Sequence, residues 1–503
     1  MFPERPDAVS DTAPPRLSNA TLEALPKNVE RPGYDRAAVT TGVVHLGIGA
    51  FHRAHQAAVF DALIRGGDTR WGVRGASLRS PGVRDQMNPQ DGLYAMTVRD
   101  GHSEQVRILG AVKDVLVAPE DPAALVEALA SADTHLATLT VTEKGYRLDP
   151  ATGTLLEDDA EVAADLADLS RPRTAPGFLT AALALRKARG LKPFTAISCD
   201  NLPHNGERLR AAVLAMAGRH DPRLRDWIGT EGAFPQTMVD RIVPATTPED
   251  IVALTARLGV ADLAMVKTEP FLQWVVEDRF AGPRPDLEAA GVQVATAVAP
   301  WEEAKLRLLN GAHSAIAYLG GLAGSTFVHE VTALPVARRF VERLWDESAA
   351  TLTPPPGLNV SAYRQALMAR FDNPSLNHRT RQIAMDGSQK LPQRLLAPMA
   401  VRVQRGQPFE AQALAVAAWM RWQGGRDDAG QSFSVDDPLA AVTRRAWDSA
   451  SDASGRVAAL MAIEAIFPPV LAQSEPVRAA LTQALGWLDQ LGADGALAAF
   501  EAA

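Results

Sequence analysis

The stretch at residues 43–56, which reads VVHLGIGAFHRAHQ, decides the fold class. Residues 43–46 predict a short strand that stops at the glycine turn Gly47-Ile48-Gly49. The next segment, residues 54–64, has apolar residues at helical spacing, and residues 71–78 again predict a strand. A strand, a glycine turn, a helix and a second strand together form the beginning of a βαβ unit.

The same alternation continues to about residue 295. Further strands are predicted from short apolar runs at residues 136–142, 194–198 and 265–267. Between them, apolar residues recur at helical spacing in residues 123–131, 177–188 and 206–217, which predicts helices. This pattern predicts an α/β fold with a mostly parallel sheet and helices on both faces.

Beyond Pro300 the pattern becomes almost entirely helical. Helices are predicted at residues 302–322, 333–345, 360–370, 411–421, 456–466 and 476–491. We therefore expect an extended lead-in at residues 1–38, an α/β domain at 39–295 and a mostly α-helical domain at 296–503.

Composition excludes several classes of protein. The 503 residues carry 51 Lys plus Arg against 59 Asp plus Glu, so the net charge of −8 argues against a general nucleic-acid binder. There is no apolar run long enough for a transmembrane helix, and the first residues do not resemble a secretory signal. A single cysteine, Cys199, excludes an intrachain disulfide and a cysteine metal cluster. We expect a cytoplasmic enzyme that acts on a small molecule without a membrane partner, as a monomer or small homo-oligomer.

The glycine turn is an incomplete dinucleotide fingerprint, because it lacks the third glycine. Two glycines still permit a tight turn, and the following helix offers free N–H groups to a pyrophosphate. The candidate cofactor-binding residues are Gly47, Gly49, Ala50, Phe51 and Arg53. A plain strand-to-helix turn also uses glycines, so the motif alone is weak.

The end of the second predicted strand bears on the choice of cofactor. A dinucleotide site for NAD usually has an acidic residue there for the adenosine ribose. Here the strand ends in Ser77-Leu78-Arg79-Ser80, which has no acid, and Arg79 suits a 2′-phosphate. Arg79 could equally point to solvent or stack on the adenine. The chemistry of this segment therefore leaves NAD and NADP both open.

Four polar residues share one face of the helix predicted at 302–322: Glu302, Lys305, Asn310 and His313. At about 100° per residue they lie within an arc of about 140°. Asn310 and Gly311 are poor helix formers among apolar neighbours, which favours a functional role or close packing over stability. A solvated lysine and ordinary packing are the alternatives. The ten histidines show no pairing typical of a zinc site.

Polar side chains follow two further predicted strands. Asp200 and Asn201 come after residues 194–198, and Glu143 follows residues 136–142. Ligands of open α/β sheets bind beyond the carboxyl ends of strands, so these positions suit a site. Helix capping and turn formation are equally good explanations of Asp200 and Asn201. Cys199 is interpreted as a small buried residue.

Eight ordered motifs make the chain similar to the polyol-specific long-chain dehydrogenases, the family of mannitol 2-dehydrogenase and fructuronate reductase (D-mannonate oxidoreductase). The motifs are VVHLGIGAFHRAHQ from Val43, TVTEKGY from Thr140, SCDN from Ser198, MVDRIVPAT from Met238, EPFLQWVVED from Glu269, KLRLLNGAHS from Lys305, FDNPSL from Phe371 and AMDGSQKLPQRLL from Ala384. The resemblance extends from about Gly42 to near the C-terminus.

The resemblance implies a Rossmann-type N-terminal domain, a mostly helical C-terminal domain and an active site between them. It also implies a metal-independent, NAD-linked dehydrogenase in which Lys305 is the general base and acid. Asn201 and Asn310 match the family asparagines that would stabilise the substrate oxygen, and His313 would hold a substrate hydroxyl. Glu143 would contact substrate or belong to a proton path, and Asp240 would line the nicotinamide side. Glu302, on the same predicted helix face as Lys305, is a further candidate for substrate binding.

The AMDGSQKLPQRLL segment resembles the fructuronate reductase branch most closely. A uronate or aldonate needs a cation for its carboxylate, and Lys390, Arg394 and Arg381 are candidates, with surface charge as the alternative. The preferred reaction is therefore the interconversion of D-mannonate and D-fructuronate. The alternatives are the oxidation of mannitol or another polyol, and an inactive dinucleotide-binding sensor.

Overall fold

The computed structural model describes residues 14–149 and 152–503. The chain divides into two structural units, the first ending at Val298 and the second spanning Ala299–Ala503. Positions 1–13 of the predicted lead-in lie outside the described residues. From residue 14 onward the lead-in is folded rather than loosely extended, since Leu17, Leu25 and Val29 are buried against strands of the first unit.

The described part of the first unit contains eleven strands. They are β1 (Val43–Leu46), β2 (Val73–Ser77), β3 (Tyr94–Arg99), β4 (Glu104–Leu109), β5 (Val112–Val117), β6 (Leu136–Leu139), β7 (Thr195–Ser198), β8 (Thr237–Asp240), β9 (Val266–Thr268), β10 (Gln273–Glu277) and β11 (Gln293–Ala295). Nine helices accompany them there: α1 (Ala50–Ala54), α2 (Gln56–Arg65), α3 (Gly82–Met87), α4 (Pro122–Ala130), α5 (Ala160–Ala167), α6 (Ala175–Ala188), α7 (Asn205–His220), α8 (Pro222–Glu231) and α9 (Pro248–Leu258).

The main sheet has the strand order β5-β2-β1-β6-β7, and every neighbouring pair is parallel. All residues of β1, β6 and β7 are buried, as expected for a sheet covered on both faces. Alternate residues of β1 enter different cores: Val44 packs with Phe178 of α6, and Val43 packs with Phe60 of α2. The predicted α/β class and mostly parallel sheet are confirmed.

Two smaller sheets complete the first unit. One has the order β4-β3-β9, with β3 and β4 antiparallel, and the other has the order β11-β10-β8, with β10 and β8 antiparallel. Of these six strands the apolar pattern predicts only β9. The carboxyl ends of β1, β2, β6 and β7 lie at one edge of the main sheet, because these strands are parallel and in register.

The second unit is helical throughout its described length. Its helices are α10 (Ala299–Ala304), α11 (Gly311–Leu322), α12 (Val328–Thr332), α13 (Pro335–Ala349), α14 (Val360–Phe371), α15 (Thr380–Ile383), α16 (Gly387–Leu391), α17 (Ala397–Gln404), α18 (Glu410–Trp422), α19 (Ala440–Asp448), α20 (Ala453–Met461), α21 (Pro469–Ala472) and α22 (Glu475–Ala502). Gly492 has a φ of 69° and interrupts α22. The mostly helical character predicted for the C-terminal part is confirmed.

Two π-helical segments interrupt this pattern, at Lys305–Asn310 and Pro392–Leu396. The single regular helix predicted at 302–322 is therefore wrong in detail. A π-helix has wider i→i+5 turns, so the angles computed at about 100° per residue do not apply between Lys305 and Asn310. Such segments are frequent at functional sites.

Across residues 14–149 and 152–503, we find no helix with the length and apolarity needed to cross a membrane.

Candidate active site

Gly47 is required by the turn that follows β1. Its φ is +94°, and a Cβ atom there would overlap the carbonyl oxygen of Thr140, the residue after β6. The Gly47 N–H donates to the Ala76 carbonyl on the other side of β1. The first glycine therefore lets the turn pack directly between the ends of the two neighbouring strands.

A chain of hydrogen bonds holds the Gly47 carbonyl in place. The Nδ1 atom of His45 lies 2.8 Å from Thr138 Oγ1, and its Nε2 atom lies 2.9 Å from Thr140 Oγ1. The Thr140 hydroxyl donates to the Gly47 carbonyl at 2.7 Å. Because a carbonyl only accepts, the Thr140 proton is committed to it, and His45 must donate from Nε2 and accept at Nδ1. Burial lowers the pKa of His45 to about 3, which keeps the ring neutral as this pattern requires.

Gly49 has a different role from Gly47. Its φ is −77°, and the nearest atom to a Cβ built there is the Gly47 oxygen at 3.8 Å, so the side-chain position is open. The open position borders a cavity of about 610 Å³ lined by the glycine turn, by the ends of β2 and β6 and by Arg79. A second cavity of about 460 Å³ shares Leu78, Pro119, Glu161 and Arg173 with the first.

These features fit a dinucleotide. The open glycine position and the first turn of α1 leave room for a pyrophosphate at backbone N–H groups, and the volumes are typical of cofactor sites. Of the residues proposed for the cofactor, Gly47, Gly49 and Arg79 line the larger cavity. Ala50 is the first residue of α1, next to the open position.

Arg53 and Phe51 do not line this cavity. Arg53 is buried, and its guanidinium donates to the carbonyls of Ala264 and Gly49 and lies over the Tyr94 ring. The guanidinium of Arg53, expected from the sequence at the pyrophosphate, therefore satisfies interior carbonyls and does not line the cavity beside the glycine turn. Phe51 stacks on the His55 ring, with centroids 5.0 Å apart.

Asp200 positions the loop that follows β6. Its carboxylate accepts hydrogen bonds from the N–H groups of Val141 and Thr142, at 3.1 and 2.9 Å, and from the Tyr146 hydroxyl at 2.6 Å. Burial raises the pKa of Asp200. Thr142 has a φ of +65°, a strained conformation for a β-branched residue, and the Asp200 carboxylate accepts its N–H.

The remaining predicted residues of the first unit lie near strand ends. Asn201 directly follows Asp200 after β7, and Glu143 begins a 3₁₀ turn after β6; both side chains are exposed. Asp240 is buried at the end of β8, which belongs to a smaller sheet. The next residue, Arg241, donates to the Ala54 carbonyl and thereby ties the end of β8 to α1.

In the second unit, Lys305 begins the π-helical segment and is 8% exposed. Asn310 ends that segment, and its buried Oδ1 atom has no hydrogen-bond partner among the residues that the structure describes. A Cβ on Gly311 would approach the Arg394 carbonyl to 3.0 Å, so this glycine allows the two π-helical segments to pack closely. Glu302 is half-buried on α10, upstream of Lys305.

His313 lies among rings and cations. Its ring centroid is 4.6 Å from Phe371 and 5.0 Å from His378. Burial, together with the neighbouring His378, Arg370 and Arg394, lowers the pKa of His313 well below its usual value. Sequence reasoning missed His378 and Arg370. Arg370 directly precedes the FDNPSL motif and His378 lies shortly after it, and that proximity was the available signal.

The three cations predicted for a substrate carboxylate separate into two groups. Arg394 donates to Ser314 Oγ at 3.1 Å, beside His313, and burial lowers its pKa to about 10. Burial and, to a smaller extent, the Arg394 charge lower the pKa of Lys390. Its ammonium donates to the Met385 carbonyl at 2.6 Å and lies 3.6 Å from the Asp386 carboxylate.

Arg381 does not join this group. Its guanidinium lies 4.9 Å from the Phe433 ring centroid and lines a different cavity, near Gly321 and Gly324 at the end of α11. The substrate role expected of Arg381 is therefore not supported. Within the described ranges, no group of three or more His, Cys, Asp or Glu side chains is arranged to hold a metal ion.

Comparisons with known proteins cover nearly the whole chain. Residues 41–289 match the family model described as the mannitol dehydrogenase Rossmann domain, and residues 297–489 match the mannitol dehydrogenase C-terminal domain. The uncharacterized oxidoreductase YeiQ of Escherichia coli (strain K12) is 44% identical over 94% of this chain and 97% of its own. The D-mannonate oxidoreductase of the same organism is 41% identical over 94% of this chain and 98% of its own.

A solved structure is also similar over its full length. It is the mannitol 2-dehydrogenase of Pseudomonas fluorescens in a ternary complex with NAD and D-mannitol. The TM-score is 0.80 at 37% sequence identity, and the match covers 97% of this chain and 99% of that one.

Proposed function

The chain belongs to the mannitol dehydrogenase family, and from that premise we propose that it interconverts D-mannonate and D-fructuronate with NAD as the hydride carrier. The family assignment makes it a nicotinamide-dependent oxidoreductase of CH–OH groups, acting on polyols or sugar acids. The choice of a sugar acid over a neutral polyol rests on the charges around His313.

The observation that carries the choice of substrate is the concentration of cations near His313. The charges of Arg370 and Arg394 both act on His313, and the charge of Arg394 also acts on Lys390. These three cations share the region with Asp386, an acidic partner of both Lys390 and Arg394. A neutral polyol has no need of such a concentration, whereas a carboxylate is stabilised by it. The Arg394 guanidinium, fixed by its hydrogen bond to Ser314, is the group we assign to the substrate carboxylate.

In this proposal Lys305 is the general base and general acid. Bound NAD would supply the acceptor for the hydride. The buried amine of Lys305, in its neutral form, accepts the proton of the reacting hydroxyl and returns it in the reverse direction. The amides of Asn310 and Asn201 are assigned to the substrate oxygens, where an N–H donor stabilises the charge that develops on oxygen. The buried Oδ1 of Asn310 has no hydrogen-bond partner among the described residues, and as an acceptor it would be satisfied by a substrate hydroxyl, which supports a substrate contact by this side chain.

Neutral His313 can donate one hydrogen bond and accept another, which suits a substrate hydroxyl. Lys390, Glu143 and Glu302 stay proposed substrate contacts, and Asp240 stays a proposed contact on the nicotinamide side. The cofactor itself is assigned to the two connected cavities of the first unit. The cytoplasmic location and the monomeric or small oligomeric state expected from the sequence also stay predictions.

Oxidation of mannitol is the second candidate, and the relative solved with NAD and D-mannitol favours it. An inactive dinucleotide-binding sensor is the remote alternative. The presence of Lys305, Asn310, His313 and Asn201 argues against a sensor, which needs no base.

A substrate panel tests the proposal. We expect kcat/KM to be higher for D-mannonate than for mannitol, arabinitol and sorbitol. Arg394→Gln should lower kcat/KM for mannonate by about 100-fold, as expected for the loss of a charge-assisted contact. The matched control is Arg381→Gln, which should leave the value within about twofold, since Arg381 lines another cavity. Turnover of a neutral polyol with mannonate inert would contradict the assignment.

A further inference from the structure

Four arginines line the two adjacent cavities of the first unit, and one of them, Arg147, is paired with a carboxylate of the same lining. Of the other three, Arg79 comes from the loop after β2 and lines the larger cavity, Arg171 lines the smaller, and Arg173 lines both. All three side chains are exposed. In residues 14–149 and 152–503, we find no ion pair or side-chain hydrogen bond made by these three guanidinium groups, although the Arg173 charge acts on the Asp165 carboxylate, which also accepts the Arg173 backbone N–H at 2.8 Å.

The acidic side chain in the same lining is already neutralised. Glu161 is bound by Arg147, which also pairs with Asp159 at 2.7 Å. Among the described residues that line the two cavities, Glu161 is the only acid. The remaining charge of this lining is therefore positive, from Arg79, Arg171 and Arg173, and it favours an anion beyond the pyrophosphate position.

The loop after β2 presents Arg79 where an NAD-specific site would present an acid. The Ser77 hydroxyl donates to the Ser80 carbonyl at 2.6 Å, which closes the turn around Leu78 and Arg79. A carboxylate at this place accepts hydrogen bonds from both ribose hydroxyls and repels a phosphate. A guanidinium does the opposite, because it binds phosphate oxygens through two parallel N–H groups.

The smaller cavity offers an apolar surface next to these cations. Its lining includes Leu78, Pro119, Pro122 and Phe178, which suit the faces of an adenine ring. Arg171 and Arg173 border the same cavity. An adenosine bound there would have its ribose between the apolar surface and the larger cavity, within the region bounded by Arg79 and Arg173.

We propose that this region binds the 2′-phosphate of NADP, so that the protein accepts the phosphorylated dinucleotide at least as readily as NAD. The inference rests on the proposed function, because it concerns the cofactor of that reaction. It assigns Arg79 and Arg173 as the residues that determine cofactor specificity, with Arg171 as a further source of positive charge.

Binding measured without turnover is the direct test. Titration calorimetry of the full chain with NADP and with NAD should give an NADP dissociation constant equal to or below that of NAD. Arg79→Ala and Arg173→Ala should each raise the NADP dissociation constant by about tenfold, the usual effect of losing one charge-assisted contact. Both variants should leave the NAD dissociation constant within about twofold of wild type. The matched control is Arg189→Ala, which removes a surface arginine paired with Glu127 away from both cavities.

Two further probes separate the 2′-phosphate from a general anion. Adenosine 2′,5′-bisphosphate should bind at least tenfold more tightly than adenosine 5′-monophosphate, and inorganic phosphate alone should compete weakly with it. Arg79→Asp should make the protein prefer NAD, because a carboxylate repels the 2′-phosphate and accepts a hydrogen bond from the ribose 2′-hydroxyl.

The outcomes distinguish this inference from the proposed function. An NADP dissociation constant more than tenfold above that of NAD overturns the inference and leaves the proposed function intact. Equal weakening of NAD and NADP by Arg79→Ala also overturns it, since the contact would then not be with the 2′-phosphate. Failure of both dinucleotides to bind overturns the proposed function together with the inference.

Discussion

The two glycines of the turn after β1 occupy their positions for different physical reasons. Gly47 has a positive φ and packs against the Thr140 carbonyl, whereas Gly49 has an ordinary φ and faces open space. Gly47→Ala should lower the free energy of unfolding by about 3 kcal/mol, from strain and overlap together.

The matched variant, Gly49→Ala, should keep the unfolding free energy within about 1 kcal/mol of wild type. It should nevertheless weaken dinucleotide binding by about tenfold or more, because the new methyl group lies where the pyrophosphate is expected. Urea denaturation and calorimetry measure the two effects separately. Equal destabilisation by both substitutions would contradict this division of roles.

The hydrogen bonds among His45, Thr140 and Gly47 make a second prediction at this scale. Thr140→Val removes the hydroxyl that fixes the Gly47 carbonyl, so the dinucleotide dissociation constant should rise by about tenfold. Thr134→Val is the control, since its buried hydroxyl also donates to a carbonyl, that of Ala128, but lies away from the turn.

Both threonine variants should lose about 1–2 kcal/mol of unfolding free energy, and only Thr140→Val should change the binding of the dinucleotide. If Thr134→Val weakened binding as much as Thr140→Val, the effect would be one of stability alone.

Side-chain direction was the least predictable property of single residues. Arg53 follows the glycine turn as a phosphate-binding arginine would, yet its guanidinium donates hydrogen bonds to the carbonyls of Ala264 and Gly49. Arg381 precedes the AMDGSQKLPQRLL motif, which holds the cation beside His313, but its guanidinium lies over the Phe433 ring and lines another cavity. Partners distant in sequence decide such directions, and spacing along the chain does not reveal them.

At the scale of elements, the parallel strands were predictable for a physical reason. β1, β6 and β7 are buried on both faces, so their sequences are mostly apolar, and the polar side chains of His45 and Thr138 are hydrogen-bonded to each other. β4 and β11 have exposed or half-buried residues and no continuous apolar run, so the hydrophobic pattern did not predict them. The π-helical turn at Lys305–Asn310 was equally invisible, since helical periodicity assumes a regular turn.

Glu347 of α13 makes a pH-dependent contribution to stability at the start of helix α18. The carboxylate of Glu347 accepts hydrogen bonds from the N–H groups of Ala411 and Gln412 at the start of this helix, at 2.8 and 2.9 Å. Burial raises the pKa of Glu347 from its ordinary value of 4.5 to about 7. The folded state therefore holds a proton that the unfolded state has released between these two pH values. The contribution to stability is complete below about pH 4.5 and declines as pH rises to about 7.

Unfolding free energies at pH 5 and pH 8 measure this effect. Wild type should lose on the order of 3 kcal/mol more than Glu347→Gln across this interval, because the glutamine does not titrate. Identical pH profiles for the two proteins would show that Glu347 titrates at its ordinary pKa.

At the scale of the whole molecule, bulk composition and local charge give different information. The net charge of −8 argues against a nucleic-acid partner but says nothing about the sites. Cations are concentrated at two places, around His313 in the second unit and along the dinucleotide cavities of the first. An acidic protein that collects positive charge in this way is suited to anionic ligands.

In the proposed dehydrogenase reaction, proton transfer depends on Lys305. The most direct measurement is kcat for D-mannonate oxidation by Lys305→Ala, together with the NAD dissociation constant of the same variant. We expect kcat to fall by about 1000-fold, within the usual range for loss of a general base, and NAD binding to stay within about twofold. Lys192→Ala, at an exposed lysine of the first unit, should behave as wild type. Undiminished turnover in Lys305→Ala would contradict the role of Lys305 as general base.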